Sequence, residues 1–286
     1  LFFIDLSGIN MDIDQHYSDH MEETTLLDQL HQRYPEGPTL YQLAPIDQLH
    51  IGGIKASEKL LQQLELLQPG RILEIGSGAG GLMRMISSRC SAEIIGIDIT
   101  HRFNVLNSAI TQLTHIPASP VITCDAQQLP FANNSFDCII FQHSLLNIPD
   151  TARCLQECSR VLNNEGSLLL HEVLEGPAPQ RMHYPVPWAR TADQSHLISY
   201  TALYELLQAS GFRLKRAENW SEDALQWRQR QAAKEKENEK EKKPEAPQIS
   251  PSQILGEDFN KMGPNVIANL TEGAVEVWQL SCIAKG

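Results

Sequence analysis

The stretch LEIGSGAGG, residues 73–81, joins the end of an apolar run to an acid and a cluster of glycines. An apolar segment that ends at Glu74 predicts a β-strand, and Gly76, Gly78 and Gly80 predict the tight turn after it. Because glycine has no Cβ, such a turn brings backbone N–H groups close to a ligand. The stretch therefore predicts a site for a small polar ligand and favours a nucleotide, although a glycine loop alone also serves as a plain turn.

The segments around this turn predict an α/β fold. Runs rich in Ile, Val and Leu alternate with helix-length segments over residues 71–173. The predicted strands read RILEI, AEIIGID, PVITCD, FDCIIF and GSLLLHEV, and the predicted helices cover residues 81–90, 101–113 and 150–162. This βα repeat predicts a Rossmann-like, doubly wound and mostly parallel sheet. Two later runs, FRLKRAENW and AVEVWQLSCIAK, predict an antiparallel C-terminal edge hairpin.

The rest of the chain divides by composition. Helices are predicted over residues 18–33 and 54–67, and the loop between them, with three prolines and three glycines, is predicted to lack regular structure. We expect residues 11–66 to form an N-terminal helical lid and residues 67–286 to form the main domain. Within it, KEKENEKEKKPEAP predicts a charged, flexible insertion at about residues 228–250. Residues 1–10 are expected to be a remnant of cloning or processing, because Met11 opens a more ordinary sequence.

Charge and cysteine content exclude several classes of protein. The 286 residues carry 23 Lys and Arg against 35 Asp and Glu, and this net charge of -12 disfavours nucleic acid as a partner. No apolar run is long enough to span a bilayer, so we expect no stable membrane insertion. The six cysteines form no CxxC pair and show no zinc-ligand spacing, which favours reduced thiols, a cytoplasmic protein and no metal. We expect a monomer or a homodimer.

Two acids lie at the ends of the next predicted strands. Asp98 follows the glycines by about twenty residues, where a carboxylate can accept hydrogen bonds from both ribose hydroxyls. Asp125 ends the third strand, within reach of an adenine amine. Each acid alone is consistent with a helix N-cap, but together with Glu74 they place acids at three strand ends in register. The arrangement favours a nucleoside ligand.

The spacing of the glycines distinguishes two cofactors. A dinucleotide loop reads GxGxxG, with the pyrophosphate at the N-terminus of the next helix. Here residues 76–80 read GxGxG, and Glu74 precedes them. An acid at this position disfavours a pyrophosphate and suits an ammonium group. The residues therefore favour the amino-acid end of S-adenosylmethionine over NAD.

Longer segments carry a family resemblance. LEIGSGAGG, GIDIT, CDAQQLPFANNSFDCIIFQHSLLNIPD and LQECSRVLNNEGSLLLHEV resemble the successive motifs of class I S-adenosylmethionine-dependent methyltransferases. DQLHIGG, QHSLLNIPD and HYPVPWA resemble the small-molecule branch, which includes sarcosine/dimethylglycine N-methyltransferase-like and ubiquinone/menaquinone-methyltransferase-like (methyltransferase type 11) proteins. The resemblance implies a methyltransferase domain over residues 67–286, S-adenosyl-L-methionine as cofactor and S-adenosyl-L-homocysteine as product.

The resemblance also implies roles for individual residues on the cofactor side. The predicted cofactor-binding residues are Glu74, Gly76, Ser77, Gly78 and Gly80 for the methionine end, Asp98 for the ribose, Ile99 and Ala126 for the adenine faces, Asp125 for the adenine amine, and Gln142 and His143 below the sulfonium.

His143 is also the candidate catalytic residue, because an unperturbed imidazole titrates near neutral pH and can act as a general base. The alternative is a histidine that only shapes the cavity. The candidate substrate residues are His50, Asn147, His171, Tyr184 and Trp188. His171 and Glu172 are predicted to end the fifth strand, and either could instead hold a neighbouring loop.

The expected function is methyl transfer to a small-molecule acceptor, with an amine or amino acid nitrogen ahead of C- or O-methylation of a quinol or phenol. In-line displacement from a sulfonium mainly needs alignment of the reacting atoms. A nucleotide-dependent oxidoreductase and a non-catalytic cofactor-binding protein remain as alternatives. Glu74 argues against the first, and the acceptor-side histidines argue against the second.

Overall fold

Seven strands form one sheet in the computed structural model of the protein, which describes residues 23–240 and 249–285. The strands are β1 (Arg71–Ile75), β2 (Glu93–Asp98), β3 (Val121–Thr123), β4 (Phe136–Gln142), β5 (Leu162–Glu175), β6 (Phe212–Asn219) and β7 (Val275–Ala284). Their spatial order is β3-β2-β1-β4-β5-β7-β6. All pairs from β3 to β5 are parallel, and β7 is antiparallel to β5 and β6. The predicted fold class is confirmed.

Helices cover both faces of this sheet. They are α1 (Glu23–Arg33), α2 (Leu40–Asp47), α3 (Gly53–Leu67), α4 (Gly81–Arg89), α5 (His101–Gln112), α6 (Thr151–Val161), α7 (Tyr200–Ala209), α8 (Ser221–Lys240), α9 (Ser252–Leu255) and α10 (Phe259–Thr271). Apolar residues of α6 and α7 pack on one face of the sheet, and those of α3 and α4 pack on the other. This two-sided cover explains why the parallel strands are near-continuous apolar runs.

The strand β1 lies at the centre of the parallel part. Leu73 is paired with Ile95 of β2 and with Ile139 of β4. The carboxyl ends of β1, β2 and β4 therefore meet at one edge of the sheet, where open α/β sheets bind ligands. The glycine loop follows β1 at this edge.

The C-terminal edge contains the predicted hairpin in a modified form. β6 and β7 pair antiparallel, but β7 lies between β5 and β6 rather than outside them. The connection from β6 to β7 contains α8, α9 and α10. Trp220, Val266 and Val277 bury their side chains in one cluster, so this connection packs onto the sheet.

The prediction of an irregular loop over residues 34–53 is wrong for its central part, because Leu40–Asp47 form α2. Thr39 and Gln42 form a capping box at its N-terminus, which satisfies backbone N–H groups of the first turn. Leu43 and Ile46 are fully buried. Burial of these side chains outweighs the backbone hydrogen bond that Pro45 cannot make.

The structure describes only some of the segments for which a domain role was predicted. Residues 1–10 lie outside the described residues, as do residues 241–248 within the charged insertion. The first part of that insertion belongs to α8, where Arg228 forms an ion pair with Glu235 at 2.9 Å. Within the two described ranges, no helix has the length and apolar composition needed to cross a membrane.

Candidate active site

A cleft of about 1280 Å³, partly open to solvent, lies at the carboxyl edge of β1, β2 and β4. It brings together most of the predicted site residues. Those that line it are His50, Glu74, Gly76, Ser77, Gly78, Asp98, Ile99, Asp125, Ala126, Gln142, His143, Asn147 and Trp188. Gly80, His171 and Tyr184 do not line it.

The glycines of the loop differ in what surrounds them. Gly76, Gly78 and Gly80 all have positive φ values, of 74°, 50° and 82°, which L-residues rarely adopt. A Cβ on Gly76 would collide with Ser144 and one on Gly80 with the amide of Asn107, whereas a Cβ on Gly78 would meet nothing within 4 Å. Gly78 is therefore the point where bare backbone borders the cleft, and Gly80 serves packing at the start of α4.

Glu74 presents a buried carboxyl group to the cleft. The residue is 3% exposed, and its Oε2 has no hydrogen-bond partner within the described residues. Burial raises the pKa of Glu74 from 4.5 to about 8, although the nearby Arg84 guanidinium favours the ionised form. An ammonium group of a ligand would supply both the missing hydrogen bond and the missing charge.

Asp98 and Asp125 are held in place by their own loops. Asp98 Oδ2 accepts a hydrogen bond from Gly78 N–H at 2.9 Å, and Asp98 Oδ1 accepts one from Thr100 N–H at 2.9 Å. Asp125 Oδ1 accepts the backbone N–H of Gln127 at 2.8 Å, and the Gln127 amide donates to both carboxylate oxygens. Both acids border the cleft as predicted, in fixed orientations.

Three histidines, His50, His143 and His171, form a cluster beside the cleft, and the first two line it. The ring centroids of His143 and His171 are 5.0 Å apart and the rings are stacked, while His50 lies 5.8 Å from His143. Burial lowers the pKa of His50 to about 3 and that of His171 to about 4, and it lowers the pKa of His143 well below its usual value. All three rings are therefore neutral at neutral pH.

This environment opposes the predicted role of His143 as a base. Desolvation disfavours the imidazolium, so the pKa of His143 lies well below that of an unperturbed imidazole. His143 Nδ1 also accepts a hydrogen bond from Ile51 N–H at 3.4 Å, while Nε2 has no partner within the described residues.

The prediction that His171 and Glu172 end a strand is wrong, since β5 continues to Glu175. His171 is fully buried, and its Nε2 donates to Ile51 O at 2.9 Å, so it supports the cleft from behind. Glu172 accepts hydrogen bonds from Ser144 N–H at 3.0 Å and Leu145 N–H at 3.1 Å, and so holds the loop after β4.

The aromatic residues predicted at the acceptor side serve mainly in packing. Tyr184 packs against a buried cluster that contains Trp188 and Trp220. Trp188 is 5% exposed, and it also lines the cleft. It is therefore both a core aromatic and part of the cleft wall.

Sequence reasoning missed several residues that line the cleft, most of them from outside the βα repeat. Asp47, at the end of α2, lines the cleft and forms an ion pair with Arg84 at 2.9 Å, in which both side chains are 1% exposed. Leu255, from the connection between β6 and β7, also lines the cleft. Asp47 lay in the segment mistaken for an irregular loop, and no local pattern marks Leu255. Thr100, whose buried Oγ1 has no described partner, could have been found as the N-cap residue of α5.

The fold and the cleft define a Rossmann-like protein with a nucleoside-type site at its sheet edge. Residues 73–170 match the family model described as a methyltransferase domain. This part of the chain is therefore similar to a methyltransferase domain, and the Glu74 oxygen that has no partner within the described residues fits an ammonium group such as that of S-adenosylmethionine.

Two curated relatives illustrate the similarity. The glycine/sarcosine/dimethylglycine N-methyltransferase of Actinopolyspora halophila is 25% identical over 154 residues, which are 50% of this chain and 27% of that relative. The demethylmenaquinone methyltransferase of Thermotoga maritima is 30% identical over 121 residues, which are 42% of this chain and 51% of that relative. The chain thus spans between a quarter and a half of the length of these relatives.

A solved structure extends the similarity to the whole fold. The geranyl diphosphate C-methyltransferase of Streptomyces coelicolor, solved with Mg²⁺, geranyl diphosphate and S-adenosyl-L-homocysteine, aligns with a TM-score of 0.68. The alignment covers 99% of this chain and 100% of the other at 14% identity. At this identity the likeness shows the shared fold alone.

Proposed function

We propose that this protein transfers the methyl group of S-adenosylmethionine to a small molecule, at an amine or amino acid nitrogen. The observation that carries the proposal is the buried Glu74 carboxyl, which lies at the same sheet edge as Asp98 and Asp125 and whose Oε2 has no partner among the residues that the structure describes. Three acids along one cleft match a ligand with an ammonium group at one end and a nucleoside at the other.

Residues of the chain would hold each part of the cofactor. Glu74 would accept the ammonium group, Asp98 the ribose hydroxyls and Asp125 the adenine amine. The apolar side chains of Ile99 and Ala126 would border the adenine. When bound, the cofactor supplies an electrophilic methyl group, and the protein supplies alignment of the reacting atoms.

The acceptor side of the cleft favours a nucleophilic nitrogen that is not protonated. Its wall includes Leu146, Pro187 and Trp188, together with His50 and His143, whose lowered pKa values keep both rings neutral. A free amine fits this wall better than an ammonium ion. As the nitrogen gains the methyl group it becomes positively charged, and the face of Trp188 can then attract it. The relative named for N-methylation of glycine, sarcosine and dimethylglycine supports this choice.

C- or O-methylation of a quinol or phenol is the second candidate. It is favoured by the apolar character of the same wall, which would pack against an aromatic ring. The relative named as a demethylmenaquinone methyltransferase agrees with it.

The test is release of S-adenosylhomocysteine from S-adenosylmethionine over a panel of amines, amino acids, thiols and phenols. We expect turnover with at least one acceptor and strongly reduced turnover in Glu74→Gln at the same cofactor concentration. Tight cofactor binding with no turnover across the panel would instead favour a cofactor-binding protein without catalysis.

We also propose that the segment before β1 acts as a lid. Ile46, Leu49 and His50 of this segment line the cleft, and the Asp47–Arg84 ion pair fastens it to α4. Of the predicted lid, residues 11–66, the structure describes residues 23–66, and these would then cover the methyltransferase domain predicted over residues 67–286. All six cysteines are free, which agrees with a reducing compartment such as the cytoplasm. A monomer or homodimer is expected, and light scattering would determine which.

A further inference from the structure

The His143 ring is fixed by the backbone of the segment between α2 and α3. Ile51 N–H lies 3.4 Å from His143 Nδ1, and only an unprotonated ring nitrogen can accept this hydrogen bond. A neutral imidazole carries a single N–H group. The proton of the neutral ring therefore lies on Nε2.

Neighbouring groups keep the ring in this orientation. His171 stacks against His143 at 5.0 Å, and its own Nε2 donates to Ile51 O at 2.9 Å. Gln279 faces His171 Nδ1 at 3.3 Å, so the stacked ring is also held on its far side. The N–H and C=O groups of Ile51 thus fix both rings. A flip of the His143 ring would leave Ile51 N–H unpaired.

The Nε2–H group of His143 has no partner within the described part of the chain. Buried donors are normally paired with protein, water or ligand. The ring lines the cleft, next to Gln142, whose amide is engaged with Ser57 at 3.1 Å. The donor itself is buried, and a molecule bound against this ring in the cleft would satisfy it.

We propose that His143 orients the methyl acceptor by donating its Nε2–H to an oxygen atom that lies beside the nucleophilic atom. This inference rests on the proposed function and narrows the acceptor class. The acceptor would be an amine or phenol with a neighbouring carboxylate, carbonyl or hydroxyl oxygen. In the reaction, the new bond joins the nucleophile to the methyl carbon, the carbon–sulfur bond breaks with its electron pair on sulfur, and any proton lost goes to solvent. His143 keeps its proton throughout.

Two variants separate this role from that of a base. His143→Gln retains an N–H donor close to the Nε2 position, whereas His143→Phe retains a flat ring without a donor. Both replace the residue at the same backbone position, where φ is 55°, so they share any backbone strain. Calorimetry with S-adenosylhomocysteine gives the Kd of each protein, and two acceptors are compared within each protein at saturating S-adenosylmethionine, so that any change in cofactor binding affects both acceptors alike.

The activity test uses matched acceptors, glycine against methylamine and catechol against phenol. For the parent protein and His143→Gln, we expect the oxygen-bearing member of the productive pair to react about 10- to 100-fold faster in kcat/KM, as a buried hydrogen bond would give. In His143→Phe this preference should fall to about one. An equal preference in all three proteins would overturn the proposal.

A spectroscopic test is independent of turnover. The ¹⁵N spectrum of histidine-labelled protein with bound S-adenosylhomocysteine should show His143 with a protonated Nε2 and a pyridine-type Nδ1, assigned by its loss in His143→Gln. A protonated Nδ1 would overturn the proposal even if methyl transfer were found. If no acceptor turned over, the proposed function would fail while the spectrum still decided the state of His143.

Discussion

Replacement of Glu74 by glutamine perturbs the group that we propose to bind the ammonium end of the cofactor. Burial raises the pKa of Glu74 from 4.5 to about 8, so the folded protein holds this proton at pH values where the unfolded chain has lost it. The stabilising effect of the proton is complete below pH 4.5 and is lost as the pH rises to about 8. At about 1.36 kcal/mol per pH unit, the change between pH 4.5 and pH 7 is about 3 kcal/mol.

Glutamine is neutral at every pH, so the stability of the variant does not decrease in this way as the pH rises. The free energy of unfolding of the cofactor-free variant, measured with urea, should therefore gain about 3 kcal/mol on that of the parent between pH 4.5 and pH 7. Glu93→Gln, at the exposed start of β2, removes the same charge and should show no such gain. A parallel pH dependence of the parent and Glu74→Gln would refute the argument.

Cofactor binding gives the second measurement. An apo-protein carboxyl with a pKa of about 8 is roughly nine-tenths protonated at pH 7, and an ammonium group bound beside it would expel that proton. Calorimetry in two buffers of different ionisation enthalpy should therefore detect release of about 0.9 proton per S-adenosylhomocysteine in the parent and almost none in Glu74→Gln. Equal proton release from both proteins would place the ammonium group elsewhere.

Three further substitutions test other parts of the site. Asp98→Asn should weaken S-adenosylhomocysteine binding by about 1.5 to 3 kcal/mol, the usual value for hydrogen bonds to a charged group, and an unchanged Kd in calorimetry would exclude Asp98 from binding. Arg84→Met should lower the free energy of unfolding by about 3 to 5 kcal/mol, because Asp47 is then buried without a partner. Adding Asp47→Leu should restore part of this free energy in urea denaturation. A single variant as stable as the parent would contradict the argument. Gly80→Ala should lower the Tm, because its φ of 82° and the Asn107 amide both oppose a Cβ; an unchanged Tm in circular dichroism would show that the loop adapts.

The sheet and the cofactor side of the cleft could be predicted because their determinants are local. Residues 71–75 contain three Ile and Leu residues and are followed by glycines, and the structure ends β1 at Ile75. Parallel strands bring their carboxyl ends to one edge, so acids at those ends must lie close together. Asp98 and Asp125 line the cleft for this reason.

The helix α2 could not be predicted from local signals. Pro45 and the prolines before it indicate a loop, but burial of Leu43 and Ile46 against α1 and α5 favours a helix. The position of Leu255 could not be predicted either, because this residue reaches the cleft only through the packing of the β6–β7 connection.

The state of His143 also depends on distant residues. Its position at the end of β4 could be predicted, but its pKa and its tautomer depend on Ile51, His50 and His171, which come from other elements. The pKa of an unperturbed imidazole does not apply to a ring that is largely removed from water and packed beside two other imidazoles.

The most direct test of methyl transfer in this cleft uses S-adenosylmethionine with a ¹³C-labelled methyl group. The protein is incubated with the acceptor panel, and the ¹³C NMR spectrum shows which atom carries the label. We predict a new N-methyl signal, formed in equal amount with S-adenosylhomocysteine and strongly reduced in Glu74→Gln. Label that stays on S-adenosylmethionine with every acceptor, although the cofactor is bound, would contradict the account.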